Sequence, residues 1–276
     1  LYIYTSIDRD DINRLFKSLH LAFLFNLIYG TIQYINQDPI GWNNPHYSRI
    51  VGFFGNPDFF SAFVGIFSGV LIMQIYTSKN TRVRLGQSLI VIWANFLIYQ
   101  TGAIQGIAIF FILSGLLFLF YLKNILENRI FFIFTSMILG IMGIFSALGF
   151  LNKGFLSKYL YNDSIALRGE YWHSGIEMTK NHLVSGVGFD SYISWYRAYR
   201  TTKAVARKGP ELVSNAAHNI YVDISASAGI FALIAYLIFI LVIFMKIYTL
   251  RNQIDRKYVP QFYGLLVFWI GYLVQG

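Results

Sequence analysis

Two stretches of this sequence gather side chains suited to holding a charged leaving group and activating a hydroxyl. The richer one contains Arg168-Gly169-Glu170-Tyr171-Trp172, then Asn181-His182-Leu183-Val184-Ser185-Gly186-Val187-Gly188. A basic patch (Arg197, Arg200, Lys203, Arg207, Lys208) follows, and then Ala217-His218-Asn219 directly before a long apolar run. Guanidinium groups suit a diphosphate because they form bidentate, charge-assisted bonds and keep their proton. A neutral imidazole at a membrane interface can act as a general base near physiological pH. The shorter stretch reads Ser48-Arg49-Ile50-Val51-Gly52-Phe53-Phe54-Gly55-Asn56-Pro57-Asp58. Its glycines permit a tight backbone path, and Asn56-Pro57 marks a turn into a helix with Asn56 as N-cap. Each feature alone has a plainer reading. Arg49 would anchor at headgroups, His218 would be an interfacial hydrogen-bonding residue, and the Arg and Lys cluster a solvated surface.

The elements that must position these residues are membrane helices. Apolar residues make up 56% of the chain and charged residues only 13%, against about 25% charged in an ordinary soluble domain. Too few charges remain to cover a water-facing surface. Spans of roughly 20 apolar residues are expected at 15–35, 59–76, 85–100, 103–122, 130–150 and 220–248, with a seventh beginning near Pro260. Gly229 is placed to bend or break the 220–248 run. Thr101-Gly102 forms a tight turn between two spans, and 167–180 carries helical spacing. The first residue is Leu1 and the last, Gly276, falls inside an apolar run. These ends read as those of an internal fragment. The expected fold is all-α: a polytopic transmembrane helical bundle forming one transmembrane domain over 1–276, with a large, partly helical loop at 151–219.

The net charge of +9 is distributed between spans and not along a nucleic-acid stripe. Arg9, Arg14 and Lys17 precede the first span, and Lys79, Arg82 and Arg84 follow the second. Lys123 and Arg129 follow the fourth, and Lys246, Arg251, Arg256 and Lys257 the sixth. With alternating spans all four groups fall on one side, which the positive-inside rule makes cytoplasmic. The loops 36–58 and 151–219 then lie outside. Within the spans, away from their basic ends, His20 and Asp223 are the exceptional ionisable groups, which argues against an ion-coupled transporter. The chain has no Cys. His173, Glu177 and His182 fall short of a three-ligand metal site and read as a polar helix face.

An arginine-bearing glycine turn, several spans, and a long loop with Arg-x-x-x-Trp, His-x-x-x-Gly-x-Gly and Ala-His-Asn closely resemble the O-antigen ligase and Wzy-type polymerase family of bacterial envelopes. The resemblance spans roughly residues 32–273 and includes the turn Thr101-Gly102-Ala103-Ile104-Gln105-Gly106. It implies a GT-C type, metal-independent glycosyltransferase of the bacterial cytoplasmic membrane that needs no cofactor. The enzyme would move a glycan from an undecaprenyl-diphosphate carrier to the hydroxyl of a lipid, protein or glycan acceptor at the outer face. By position His218 would be the base. Arg168 and Arg49 would hold the diphosphate, Asn219 would orient the site, and Arg197 and Arg200 would line it. Leu183 stands where many relatives have Pro, and Asp58 where many have Asn. Two other classes compete: a polysaccharide or lipid transporter or flippase, and a non-enzymatic envelope assembly protein that would need no role for His218.

Overall fold

The structure is a computed structural model in which residues 9–40, 42, 50–125, 129–254 and 258–276 are described. Helices α1 (Arg9–Tyr34), α2 (Pro57–Thr77), α3 (Thr81–Thr101), α4 (Ile104–Ile125) and α5 (Arg129–Phe150) come first. The short α6 (Ser157–Leu160), α7 (Asp163–Asn181), α8 (Tyr192–Tyr199) and α9 (Thr202–Lys208) follow, then α10 (Ile220–Leu250) and α11 (Val259–Gln275). No strand occurs among the described residues, so the fold is all-α, as the apolar periodicity requires. The chain packs as two units, 1–139 with 255–275, and 140–254 with Gly276.

Five of these helices are long and apolar enough to cross a membrane: Asp11–Tyr34, Pro57–Thr77, Ile104–Leu122, Arg129–Phe150 and Ile220–Leu250. The expected spans therefore all appear as helices, with one difference in kind. Helix α3 is longer than the apolar run, at 21 residues, but Arg82, Arg84, Gln87, Ser88, Asn95 and Gln100 keep it outside the strictly apolar set. It starts early because the Asn80 side chain accepts the Arg82 and Val83 N–H groups, which satisfies two amides that the first turn cannot pair internally. Gly102, at φ 70°, ends it.

In the first unit α2 is the centre, with two thirds of its apolar window buried. It packs against α4 with backbone close to backbone. A Cβ on Gly65 would lie 2.7 Å from the Gly106 carbonyl oxygen, and one on Gly106 would lie 2.5 Å from Ser61. Small residues permit this approach, where dispersion contacts replace the hydrophobic drive that lipid cannot supply. Phe23, Leu27, Phe60, Val64 and Phe67 fill the space between α1 and α2, joined from α3 by Ala94, Leu97 and Ile98.

The turn before α2 is built as its glycines suggested. Gly52 and Gly55 have φ of 55° and 65°, and Pro57 opens α2 with Asn56 capping the Asp58 N–H at 2.8 Å. What holds the turn comes from inside α1. Gln33 Oε1 accepts the Val51 and Gly52 N–H groups, both at 2.9 Å, and Asn26 Oδ1 accepts from Phe53 at 3.1 Å. Asp38 in turn accepts from Tyr29, Gln33 and the Ile40 N–H. Buried backbone donors at a membrane helix end must be paired, and two polar side chains of an otherwise apolar helix pair them.

Candidate functional site

In the second unit α7 lies along the first half of α10. Gly175 faces Val222 so closely that a Cβ would meet it at 2.5 Å. One turn on, the Thr179 and Ser225 hydroxyls pair at 3.1 Å. Met178, Tyr192, Tyr196, Ala217 and Ala226 form the core beneath, with Tyr171, Val187 and Val222 packed against it.

Helix α10 breaks where the sequence suggested. Gly229 has φ 83° and ψ 175°, outside any helix. A break strands the carbonyls before it and the amides after it. The loop of the His-x-x-x-Gly-x-Gly motif supplies the missing partners. Val187 N–H donates to Ala226 O at 2.8 Å, Gly188 N–H to Ser227 O at 3.0 Å, and Leu183 O accepts the Ile230 N–H at 2.9 Å. The motif's first glycine is required by contact, since a Cβ on Gly186 would lie 2.4 Å from the Ser227 backbone. A Cβ on Gly229 would lie 2.1 Å from the Val184 carbonyl oxygen. The loop thus meets α10 about 13 Å along from Ile220, at 1.5 Å per residue. Leu183, half-exposed, contributes its carbonyl, which a proline at that position would keep.

His218 stands at the mouth of this assembly. It is exposed, its backbone is left-handed at φ 55°, and the next residue is the N-cap of α10. Asn219 Oδ1 accepts the Tyr221 and Val222 N–H groups, both at 3.1 Å. Behind His218, Asp223 Oδ1 accepts the Ala217 N–H at 2.6 Å. The imidazole lies 5.6 Å, centroid to centroid, from the Tyr171 ring. Tyr171 sits three residues after Arg168 on α7, so the two share a helix face, and Arg168 is half-buried there. The structure therefore gathers His218, Asn219, Tyr171 and the Arg168 turn at one end of the α7–α10 pair. Arg49 lies outside the described residues.

The other basic groups divide. Arg200 Nη1 donates to the Pro210 and Leu212 carbonyls, both at 2.7 Å, and ties the 209–213 segment to α8. Arg197 reaches Glu211 at a loose 3.4 Å, with its side chain 60% exposed. Arg207 pairs with Asp163 at 2.7 Å. Glu177 is taken by Lys180 at 2.7 Å, and His182 packs edge-on against Trp195. Among the described residues no three His, Cys, Asp or Glu side chains cluster as metal ligands would.

Two residues stand beside His218 in the fold although their types alone did not place them there. Tyr171 lay inside a quoted motif without a role. Asp223 stood out only as an ionisable residue in an apolar run. Beneath Tyr171, burial pushes the Tyr192 phenol well above its usual range and that of Tyr196 up to about 12. Both are neutral hydroxyls near pH 7. Tyr192 donates its proton to the Tyr171 carbonyl at 2.6 Å, while the buried Tyr196 hydroxyl has no hydrogen-bond partner among the described residues.

A family model described as O-antigen ligase matches residues 88–237. That is more than half of the 276 residues, and it takes in Arg168, the 183–188 loop, His218 and the break at Gly229. No curated protein matches the chain.

Proposed function

The chain belongs to the O-antigen ligase family, a family of glycan-transferring membrane proteins of envelope polysaccharide assembly, and from that premise we propose its donor, base and acceptor chemistry. The donor is a glycan on an undecaprenyl-diphosphate carrier, and the acceptor is a hydroxyl presented at the outer face of the cytoplasmic membrane. His218 takes the acceptor's proton as its oxygen attacks the anomeric carbon. The bond from that carbon to the carrier phosphate breaks, and its electron pair leaves with the diphosphate. Arg168 holds that diphosphate and stabilises the charge it gains on departure. Arg49 assists it, Asn219 fixes the start of α10, and Arg197 and Arg200 border the approach. No metal ion takes part.

The observation that carries this reading is the setting of His218. An exposed imidazole on a left-handed backbone, against a tyrosine one turn from a half-buried arginine, is an arrangement that a merely interfacial histidine does not need. Ligase and polymerase share this chemistry and differ in the acceptor.

The test is transfer of a labelled lipid-linked oligosaccharide by the purified full-length protein, with donor binding measured in parallel. His218→Ala is expected to lower turnover by about 10²–10⁴-fold, the usual worth of a positioned base, while the donor still binds. Undiminished turnover overturns the role of His218. Loss of wild-type activity on adding a chelator overturns the metal-independent chemistry.

A further inference from the structure

His20 is one of the few ionisable residues inside an apolar run, and the outer-face chemistry does not use it. Such residues in a span call for a partner or a ligand. The structure places His20 on the wall of a cavity of about 790 Å³ in the first unit. The cavity lies where the start of α1, the end of α2, and the starts of α3 and α11 converge. All four ends belong to the side on which the basic connections fall.

The polar wall is wired together and left incomplete. His20 Nδ1 donates to the Phe16 carbonyl at 2.6 Å, and its Nε2 meets the Gln74 amide at 3.1 Å. The same Gln74 oxygen accepts from Gln87 at 2.7 Å. The relay then stops, because Gln87 Oε1 is buried without a hydrogen-bond partner among the described residues, and so is Oε1 of Gln261 on the facing α11. Buried amide oxygens without partners are rare. Gln87, whose nitrogen donates to Gln74, offers its oxygen as an acceptor, while Gln261 can turn either amide atom toward whatever completes it, since nitrogen and oxygen are interchangeable by a flip. Lys17 adds a cation to the lining. The mouth is apolar: Leu21 and Val83 line it and are 56% and 43% exposed.

We propose that this cavity holds the headgroup of an anionic phospholipid from the leaflet on the basic side. Its phosphate lies against Lys17, its hydroxyls complete Gln87 and Gln261, and its acyl chains leave over Leu21 and Val83. A lipid fits better than a free anion because the opening is a lipid-facing apolar surface. The exposed Arg14, Arg82 and Arg84 on the same helix ends draw anionic lipid to it, since each basic residue at such a surface is worth about 1 kcal/mol.

The experiment is native mass spectrometry of the full-length protein released from vesicles of equal parts phosphatidylglycerol and phosphatidylethanolamine. Wild type is expected to retain phosphatidylglycerol selectively. Lys17→Gln is expected to lower that retention about fivefold, and Gln261→Leu to lower it without changing charge. Lys246→Gln, a basic residue of the second unit, serves as the control and is expected to leave retention unchanged. Soluble glycerol phosphate is expected not to compete. Equal losses in the Lys17 and Lys246 variants reduce the effect to general surface charge and overturn the site. Competition by glycerol phosphate makes it a small-anion site, and absence of retained lipid means another segment fills the cavity. Either of those outcomes also overturns it.

Discussion

Replacing Gly229 with alanine attacks the joint between the motif loop and α10. At φ 83° and ψ 175° the residue occupies a region that only glycine adopts readily, and forcing another residue there costs about 1–3 kcal/mol. The added Cβ would also stand 2.1 Å from the Val184 oxygen, so the loop has to withdraw or α10 has to straighten. Either response breaks the three bonds from Leu183, Val187 and Gly188, each worth roughly 0.5–1.5 kcal/mol. Straightening recovers two helical bonds but sends Val187 out of the core it packs against. The net destabilisation of the second unit is about 3 kcal/mol, combining the strain and the bond loss. Hydrogen exchange in nanodiscs reads this directly. The Val187 and Gly188 amides are expected to exchange roughly 100-fold faster, since each 1.4 kcal/mol is a factor of ten, and glycan transfer should fall with them. Gly169→Ala is the control, because nothing lies within 4 Å of its Cβ position. Unchanged protection at Val187 and Gly188 in Gly229→Ala would refute the claim that the loop completes a broken helix.

Arg168→Lys is expected to impair transfer nearly as much as Arg168→Ala, because lysine keeps the charge and loses the planar fork; single-turnover rates on the full-length protein check this, and near-normal rates would reduce the position to charge alone. Asp223→Ala should lower kcat about tenfold or more with little change in KM, as the Ala217 N–H loses its acceptor and the residue beside it drifts. Asp223→Asn, which keeps an oxygen there, should restore most of the rate. Tyr196→Phe removes a buried hydroxyl that has no partner among the described residues, so thermal unfolding should show no loss of stability and a gain of up to about 1 kcal/mol.

The spans were readable because a membrane helix announces itself by an uninterrupted apolar run. Gly229 was readable too, as a glycine in the middle of the longest one. The polar content of α3 was present in the sequence, and Arg82, Arg84, Gln87, Asn95 and Gln100 explain why a helix of spanning length is less apolar than its neighbours. What could not be read was pairing at a distance. Gly186 and Gly188 stand in a motif whose spacing does not say what they meet, and Gly229 signalled a break without saying what would fill it. The two halves of that joint lie about forty residues apart, and only the folded chain shows that the carbonyls freed by one are taken by amides of the other. In the same way nothing in the sequence singles out Asn26 and Gln33 in α1, yet they hold the Val51–Phe53 backbone.

At the candidate site, residue type told which chemistry was available but not which residues were already occupied. Arg197, Arg200 and Arg207 form one basic patch in the sequence. Arg200 spends its guanidinium on two loop carbonyls and Arg207 pairs with Asp163, so a basic patch in sequence becomes in part the fastening of the loop. Asp223 is the converse case. An ionisable group near the start of a membrane helix is costly unless paired, and it finds its partner in the Ala217 N–H. His218 is thereby held between an anchored Ala217 on one side and the capping Asn219 on the other. A non-glycine residue at positive φ is uncommon and persists where its surroundings over-determine it. His218, at φ 55°, is over-determined from both neighbours. A histidine that only greeted headgroups would gain nothing from being fixed so. The proposed base, which has to meet an acceptor hydroxyl and a leaving group in one geometry, would gain rate from that fixity.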